Sequence, residues 1–261
     1  MINGFAFKDF YGIDDLLQIM WCLRSEGGCP WDREQTHESI KKNLIEETYE
    51  VIEAINKQDK VLLCEELGDV LMQVVFHAQM EAEAGAFTFE DVADGVCKKL
   101  IERHPHVFGE VQVESSEEVL RNWDDIKKRS KGQKSQTETM LSVPRELPAL
   151  MRAAKVQKKA AKVGFDWPDV SGAVDKLYEE TSELSGAIES GSEEEIAEEL
   201  GDLLFSAVNV SRFVDCDAEE ALTAATDKFM RRFARVEEKA RERGLKPVSY
   251  THLTLPTKRC L

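Results

Sequence analysis

The fold turns on the stretch IEETYEVIEAINKQDKVLLCEELGDVL, residues 45–71. Apolar side chains at Ile40, Leu44, Val51, Ile52 and Ile55, then at Leu63, Leu67, Val70, Leu71, Val74 and Val75, return at three- and four-residue steps, the period of a helix with one apolar face. Asn56-Lys57-Gln58-Asp59 between the two runs is short and polar, so the spacing predicts two antiparallel helices joined as a hairpin. Residues three apart share a helix face, which sets Glu47 beside Glu50 and Glu66 beside Asp69. An antiparallel hairpin can then bring the two pairs to one space. Four ionised carboxylates there would repel one another, and protonation, a lysine or arginine partner, or a hard divalent cation has to neutralise them. Oxygen donors with no imidazole or thiolate beside them suit Mg²⁺, with Mn²⁺ as a substitute.

The same pattern occurs twice. Glu46-Glu47-Thr48-Tyr49-Glu50 and Glu65-Glu66-Leu67-Gly68-Asp69 return as Glu179-Glu180-Thr181-Ser182-Glu183 and Glu198-Glu199-Leu200-Gly201-Asp202, every acidic position displaced by the interval that separates Glu47 from Glu180. Ser190-Gly191-Ser192 marks the second turn as 56–59 marks the first. Upstream, Gly28-Cys29-Pro30-Trp31-Asp32 resembles Gly164-Phe165-Asp166-Trp167-Pro168, each read as closing a helix at glycine. Downstream, Lys99 and Arg103 correspond to Lys228 and Arg232, two cations four residues apart on one helix face. The repeat unit is therefore a helix, a Gly/Trp turn, two acidic helices and a basic helix. No stretch alternates as a strand would, so the class is all-α. Two helices bury little alone, so each unit is expected to complete a four-helix bundle with its twin or a second subunit.

Composition narrows the function. With 42% hydrophobic and 32% charged residues among 261, the chain is neither disordered nor a membrane protein, and no apolar run reaches the length of a spanning helix. The opening MINGFAFKDF is too acidic and too poor in apolar residues for a signal peptide, and a cytoplasmic protein is expected. The six cysteines form no CxxC pair and read as reduced thiols. A net charge of −16 repels a polyanion, which argues against nucleic acid as a partner. The charge is uneven: residues 1–125 carry 11 Lys/Arg against 27 Asp/Glu, residues 126–162 carry 11 against 2, and the remainder 12 against 21. The organisation read from this is an N-terminal repeat at 1–125, a basic linker at 126–145, a C-terminal repeat at 146–247 and an atypical tail at 248–261. KKRSKGQKSQTET, residues 127–139, reads as exposed linker.

Other residues carry weaker signals. His104-Pro105-His106 reads as a turn ending a helix at proline, and His77 as a core or boundary histidine. Trp31 and Trp167 are candidates either to stack on a base or to pack under a turn. No P-loop, GxSxG or HExxH pattern is present. Two rival readings of the acidic faces remain. A di-iron carboxylate bundle needs two ExxH motifs, and the chain offers only Glu34-Gln35-Thr36-His37. A helical interaction module would bind a basic partner through the same faces without metal-dependent hydrolysis.

Taken together, GCPWDREQTHESIKKNLIEETYEVIEAI (28–55), EELGDVLMQVVFHA (65–78), KLIERHPHVFGEV (99–111), LPALMRAAKVQKKAAKVGFDW (147–167) and EELGDLLFSAVNVSRF (198–213) resemble the two-copy form of the MazG nucleoside triphosphate pyrophosphohydrolases. The resemblance implies an all-α homodimer or larger assembly that hydrolyses nucleoside triphosphates between the α and β phosphorus atoms. It also implies Mg²⁺ on Glu180, Glu183, Glu199 and Asp202, with Lys228 and Arg232 on the phosphates. A glutamate not fully used on metal, such as Glu179 or Glu180, is the expected proton acceptor for an attacking water. The first copy offers Glu47, Glu50, Glu66 and Asp69 with Lys99 and Arg103, and the resemblance favours the second copy as the active one. After Pro247 the resemblance breaks: relatives run on into an amphipathic segment containing tryptophan, whereas VSYTHLTLPTKRCL has neither feature.

Overall fold

The computed structural model describes residues 5–130, 132–242 and 244; the tail read at 248–261 lies outside the described residues. The described residues form twelve helices and, beyond an isolated bridge position at Phe5, no β-structure. No helix among them is long and apolar enough to cross a membrane. The chain divides into two compact units between Lys127 and Lys128.

In the N-terminal unit, α1 (Ile13–Arg24) leads through the short α2 (Pro30–Glu34) into the hairpin α3 (His37–Lys57) and α4 (Lys60–Glu83). Then come α5 (Phe89–Arg103), the single turn α6 (Pro105–Phe108) and α7 (Ser116–Ser130), which runs across the division. Thr36 starts α3, its hydroxyl accepting from the Ser39 N–H while Ser39 reaches back to the Thr36 N–H. Asp59 starts α4 by accepting from the N–H groups of Val61 and Leu62. Helix α1 packs across α4, and Met20, Ile40, Val75, Phe76 and Met80 form the core, with Leu16, Leu17, Met72 and Phe89 against it.

Two features hold the Gly/Trp turn. A Cβ at Gly28 would lie 2.4 Å from the Cys22 carbonyl oxygen and 2.3 Å from that of Leu23, so only glycine fits. The left-handed residue is its neighbour Gly27, at φ 80°, and not Gly28, the glycine expected to close the helix. In the second copy Gly164 itself takes that conformation, at φ 82°. The Arg24 guanidinium then ties the turn to α4: it donates to both carboxylate oxygens of Glu83, donates to the Asp32 carbonyl, and lies over the Phe76 ring.

The C-terminal unit comprises α8 (Gln136–Leu141), α9 (Ala149–Ala161), α10 (Val170–Ser190), α11 (Glu193–Phe213) and α12 (Ala218–Glu242). Helices α10 and α11 make the hairpin, and α9 packs on α8, α11 and α12. Buried Ala173, Ala187 and Ala240, with Val208, mark close helix approach. The polar stretch 127–139, read as an exposed linker, contains the division between the units and is largely exposed, but parts of it are helical. Its first four residues finish α7, and its end enters α8, capped by Ser135. Thr139 is buried there, and the Gln136 amide donates to the Lys159 carbonyl of α9. The charge run concealed this because the segment docks through one small buried face and side-chain hydrogen bonds, which leave little hydrophobic periodicity to read.

Candidate metal and phosphate site

Each hairpin gathers carboxylates by the same steps. Helix α3 ends ten residues after Glu47, and Glu66 and Asp69 follow the start of α4 by six and nine residues. In the second unit α10 ends ten residues after Glu180, and Glu199 and Asp202 follow the start of α11 by six and nine. At about 1.5 Å per residue the antiparallel partners therefore stand at similar height. Glu47, Glu66 and Asp69 each offer a carboxylate oxygen within 4.8 Å of the other two, and so do Glu180, Glu199 and Asp202. Glu50 and Glu183 stand at the edge of their clusters, exposed. Both still act on the charge inside, Glu50 on Glu47 and Glu66, and Glu183 on Glu199.

The clusters hold negative charge under strain. Burial pushes the Glu47 carboxyl above its ordinary range, with the charges of Asp69, Glu50 and Glu66 adding to it. Glu66 is raised by burial and then by Glu50, Glu65 and Asp69. Glu199 is raised by burial and then by Glu183, Glu180, Asp202 and Glu198. Carboxylates in that condition, with oxygen the only donor present in either cluster, fit a hard divalent cation.

The second cluster contains a residue that the acidic pattern alone did not single out. Lys176, one turn ahead of Glu180 on α10, places its ammonium 2.7 Å from both Glu179 and Glu180. Those two contacts hold Lys176 firmly protonated. The i,i+3 and i,i+4 spacing was available in the sequence as the signal for it.

The basic residues divide differently. Lys99 lies exposed on α5, whereas the Arg103 guanidinium is stacked over Trp123 of α7, 5.2 Å from the ring centre, and its Nε is buried without a hydrogen-bond partner. Arg103 is thus committed to packing. Lys228 and Arg232 are both exposed on α12, which packs against α9 and α11, the helix of Glu199 and Asp202. The Trp167 ring lies against Gly172 at the start of α10, where a Cβ would come within 2.6 Å of it, and its remainder is exposed. Glu34 and His37 fall on either side of the α2–α3 break, and His37 faces His77 and Glu81 instead, so they do not form the one-helix ExxH of a di-iron bundle.

Comparison with known proteins sets this geometry in a family. The model of the MazG nucleotide pyrophosphohydrolase domain matches residues 35–108 and again 171–236. The chain belongs to the MazG family.

Each MazG match spans one acidic hairpin and the helix carrying its pair of cations: α3–α6 in the first, α10 to most of α12 in the second. The chain is 48% identical over 236 residues to the nucleoside triphosphate pyrophosphohydrolase of Escherichia coli (strain K12), covering 89% of this chain and 90% of that protein. It is 50% identical over 232 residues to the nucleoside triphosphate pyrophosphohydrolase/pyrophosphatase MazG of Thermotoga maritima, covering 89% and 88%. The uncharacterized protein YabN of Bacillus subtilis is 51% identical over 224 residues, which are 85% of this chain and 46% of that one.

Proposed function

We propose that this MazG chain hydrolyses nucleoside triphosphates between the α and β phosphorus atoms, releasing a nucleoside monophosphate and pyrophosphate. The observation that carries the reading is the carboxylate cluster built at identical helix positions in both hairpins, where burial and neighbouring acids raise Glu47, Glu66 and Glu199 above their ordinary range. The names of the Escherichia coli and Thermotoga maritima relatives support it.

In the C-terminal unit, Glu180, Glu183, Glu199 and Asp202 would hold Mg²⁺, and Glu47, Glu50, Glu66 and Asp69 form the corresponding set in the N-terminal unit. Bound there, the ion would supply Lewis acidity that eases loss of a proton from water and offsets charge on the triphosphate. The chain's own groups do the rest. Lys228 and Arg232 grip phosphate oxygens, the arginine as a planar fork and the lysine as a point charge. A carboxylate oxygen of Glu179 or Glu180 not engaged on metal takes the proton from the water that attacks the α-phosphorus. The second unit is the better candidate for turnover, because Arg232 is exposed while Arg103 is stacked on Trp123. Large apolar side chains left uncovered on the hairpins support a homodimer or larger assembly.

Glu199→Gln and Asp202→Asn are each expected to lower Mg²⁺-dependent pyrophosphate release by about 100-fold or more, the size of effect of removing one preorganised charge-stabilising group, with helical circular dichroism unchanged. Unchanged release by both variants would overturn the assignment. The same exchanges at Glu66 and Asp69 measure the share of the first copy.

A further inference from the structure

We infer that Lys176 is a built-in counter-ion of the C-terminal acidic cluster, which an entering divalent cation must displace from Glu180, so that the two repeats take up metal at different concentrations, the N-terminal one first. The inference rests on the metal-binding reading of the clusters and adds to it a difference between them.

Lys176 reaches Glu180 at 2.7 Å, and Glu180 is the most enclosed acid of its cluster, its side chain 5% exposed. The carboxyl group that Lys176 holds is also the one that Glu180 contributes to the space shared with Glu199 and Asp202. An ammonium and a doubly charged ion cannot both lie against it without strong repulsion, because like charges a few ångströms apart in a partly enclosed site are poorly screened. Metal entry therefore carries the cost of breaking two ion pairs, Lys176–Glu180 and Lys176–Glu179. Lys176 has room to swing away, since its side chain is 37% exposed. The offset that carries Glu47 onto Glu180 also carries Asn43 onto Lys176, so Asn43 holds the corresponding place in α3. Asn43 carries no charge, and among the described residues no lysine or arginine forms an ion pair with Glu47, Glu66 or Asp69, so an ion meets no such rival from them there.

Mn²⁺ binding to the full-length chain tests this directly, by calorimetry and by the electron paramagnetic resonance signal of free Mn²⁺. Wild type should show two classes of site. The tighter should vanish in the Glu66→Gln/Asp69→Asn variant and the weaker in Glu199→Gln/Asp202→Asn. Lys176→Met should tighten the weaker class about tenfold, the scale on which partly exposed ion pairs act, and Lys176→Arg should leave it weak. Asn43→Lys should weaken the tighter class by a similar factor. Two classes that ignore both Lys176→Met and Asn43→Lys, or a tighter class lost with Glu199 and Asp202, would overturn the inference while leaving the metal sites standing. Absence of any Mn²⁺ binding that depends on these acids would sink the metal reading and the inference with it.

Discussion

His77 looked from the sequence like a core or boundary histidine, and it is one half of a stacked pair. Its ring lies parallel to that of His37, with centres 4.9 Å apart and the two Nδ1 atoms 2.7 Å apart, while the other nitrogen of His37 faces Glu81 at 2.7 Å. A single proton fits between the two Nδ1 atoms. Burial, and then the neighbouring His37, lower the His77 pKa below the ordinary imidazole value. A lowered histidine is neutral in the folded chain at pH values where the unfolded chain already binds a proton. Its contribution to stability is therefore complete above about pH 6.5 and is lost as pH falls through the lower folded value. The melting temperature is expected to fall between pH 7.5 and 5.5, and His77→Phe, which fills similar space without titrating, should flatten part of that fall. Equal acid loss in both proteins would contradict the argument. Sequence could place His77 on a helix, but His37 lies 40 residues away, and only the α3–α4 packing brings the rings together.

At the scale of elements, the two hairpins were legible because their acids, apolar steps and turn residues share the one displacement that carries Glu47 onto Glu180. The same displacement links Gln58 to Gly191, each the C-cap of its first helix in left-handed backbone, at φ 55° and 75°. Asp59 and Ser192 follow as the N-caps of the second helices. Glycine takes the left-handed conformation without a Cβ clash, whereas glutamine adopts it at a steric cost. Gln58→Gly is expected to stabilise the N-terminal unit by about 0.5–1 kcal/mol, and Gly191→Ala to destabilise the C-terminal unit by about 1 kcal/mol. Urea unfolding followed by circular dichroism checks both, and opposite signs at either position would refute the shared-turn argument. Helix α8 was illegible for a different reason: it has six residues, and its position depends on α9 rather than on a long apolar face.

At the scale of the molecule, the hairpins leave corresponding apolar side chains uncovered. Ile45, Ile55, Leu67 and Leu71 are exposed in the first, and Tyr178, Ile188, Leu200 and Leu204, their repeat counterparts in the same order, in the second. Leu67 is 52% and Leu200 45% exposed, values out of keeping with helix positions that the hydrophobic period assigns to a buried stripe. The apolar faces expected from sequence are present, and within each unit parts of them remain open. Sedimentation equilibrium is expected to show at least a dimer, and the doubly substituted Leu200→Asp/Leu204→Asp chain should shift toward the mass of one chain while remaining helical. A wild type that stays monomeric at the highest attainable concentration would remove assembly from the proposal.

Sequence by itself determined the all-α class, the duplication and the acids that share a helix face, because each is written in local periodicity and in a repeat spacing that needs no third dimension; the family followed from the resemblance of its motifs. Tertiary structure alone decided that Glu47 meets Glu66 and Asp69, that Arg103 is committed to Trp123, that His37 meets His77 and that the polar stretch after α7 folds against α9. Those contacts join different helices. Their geometry depends on how the helices cross and at what height they stand, which no periodicity within one helix specifies.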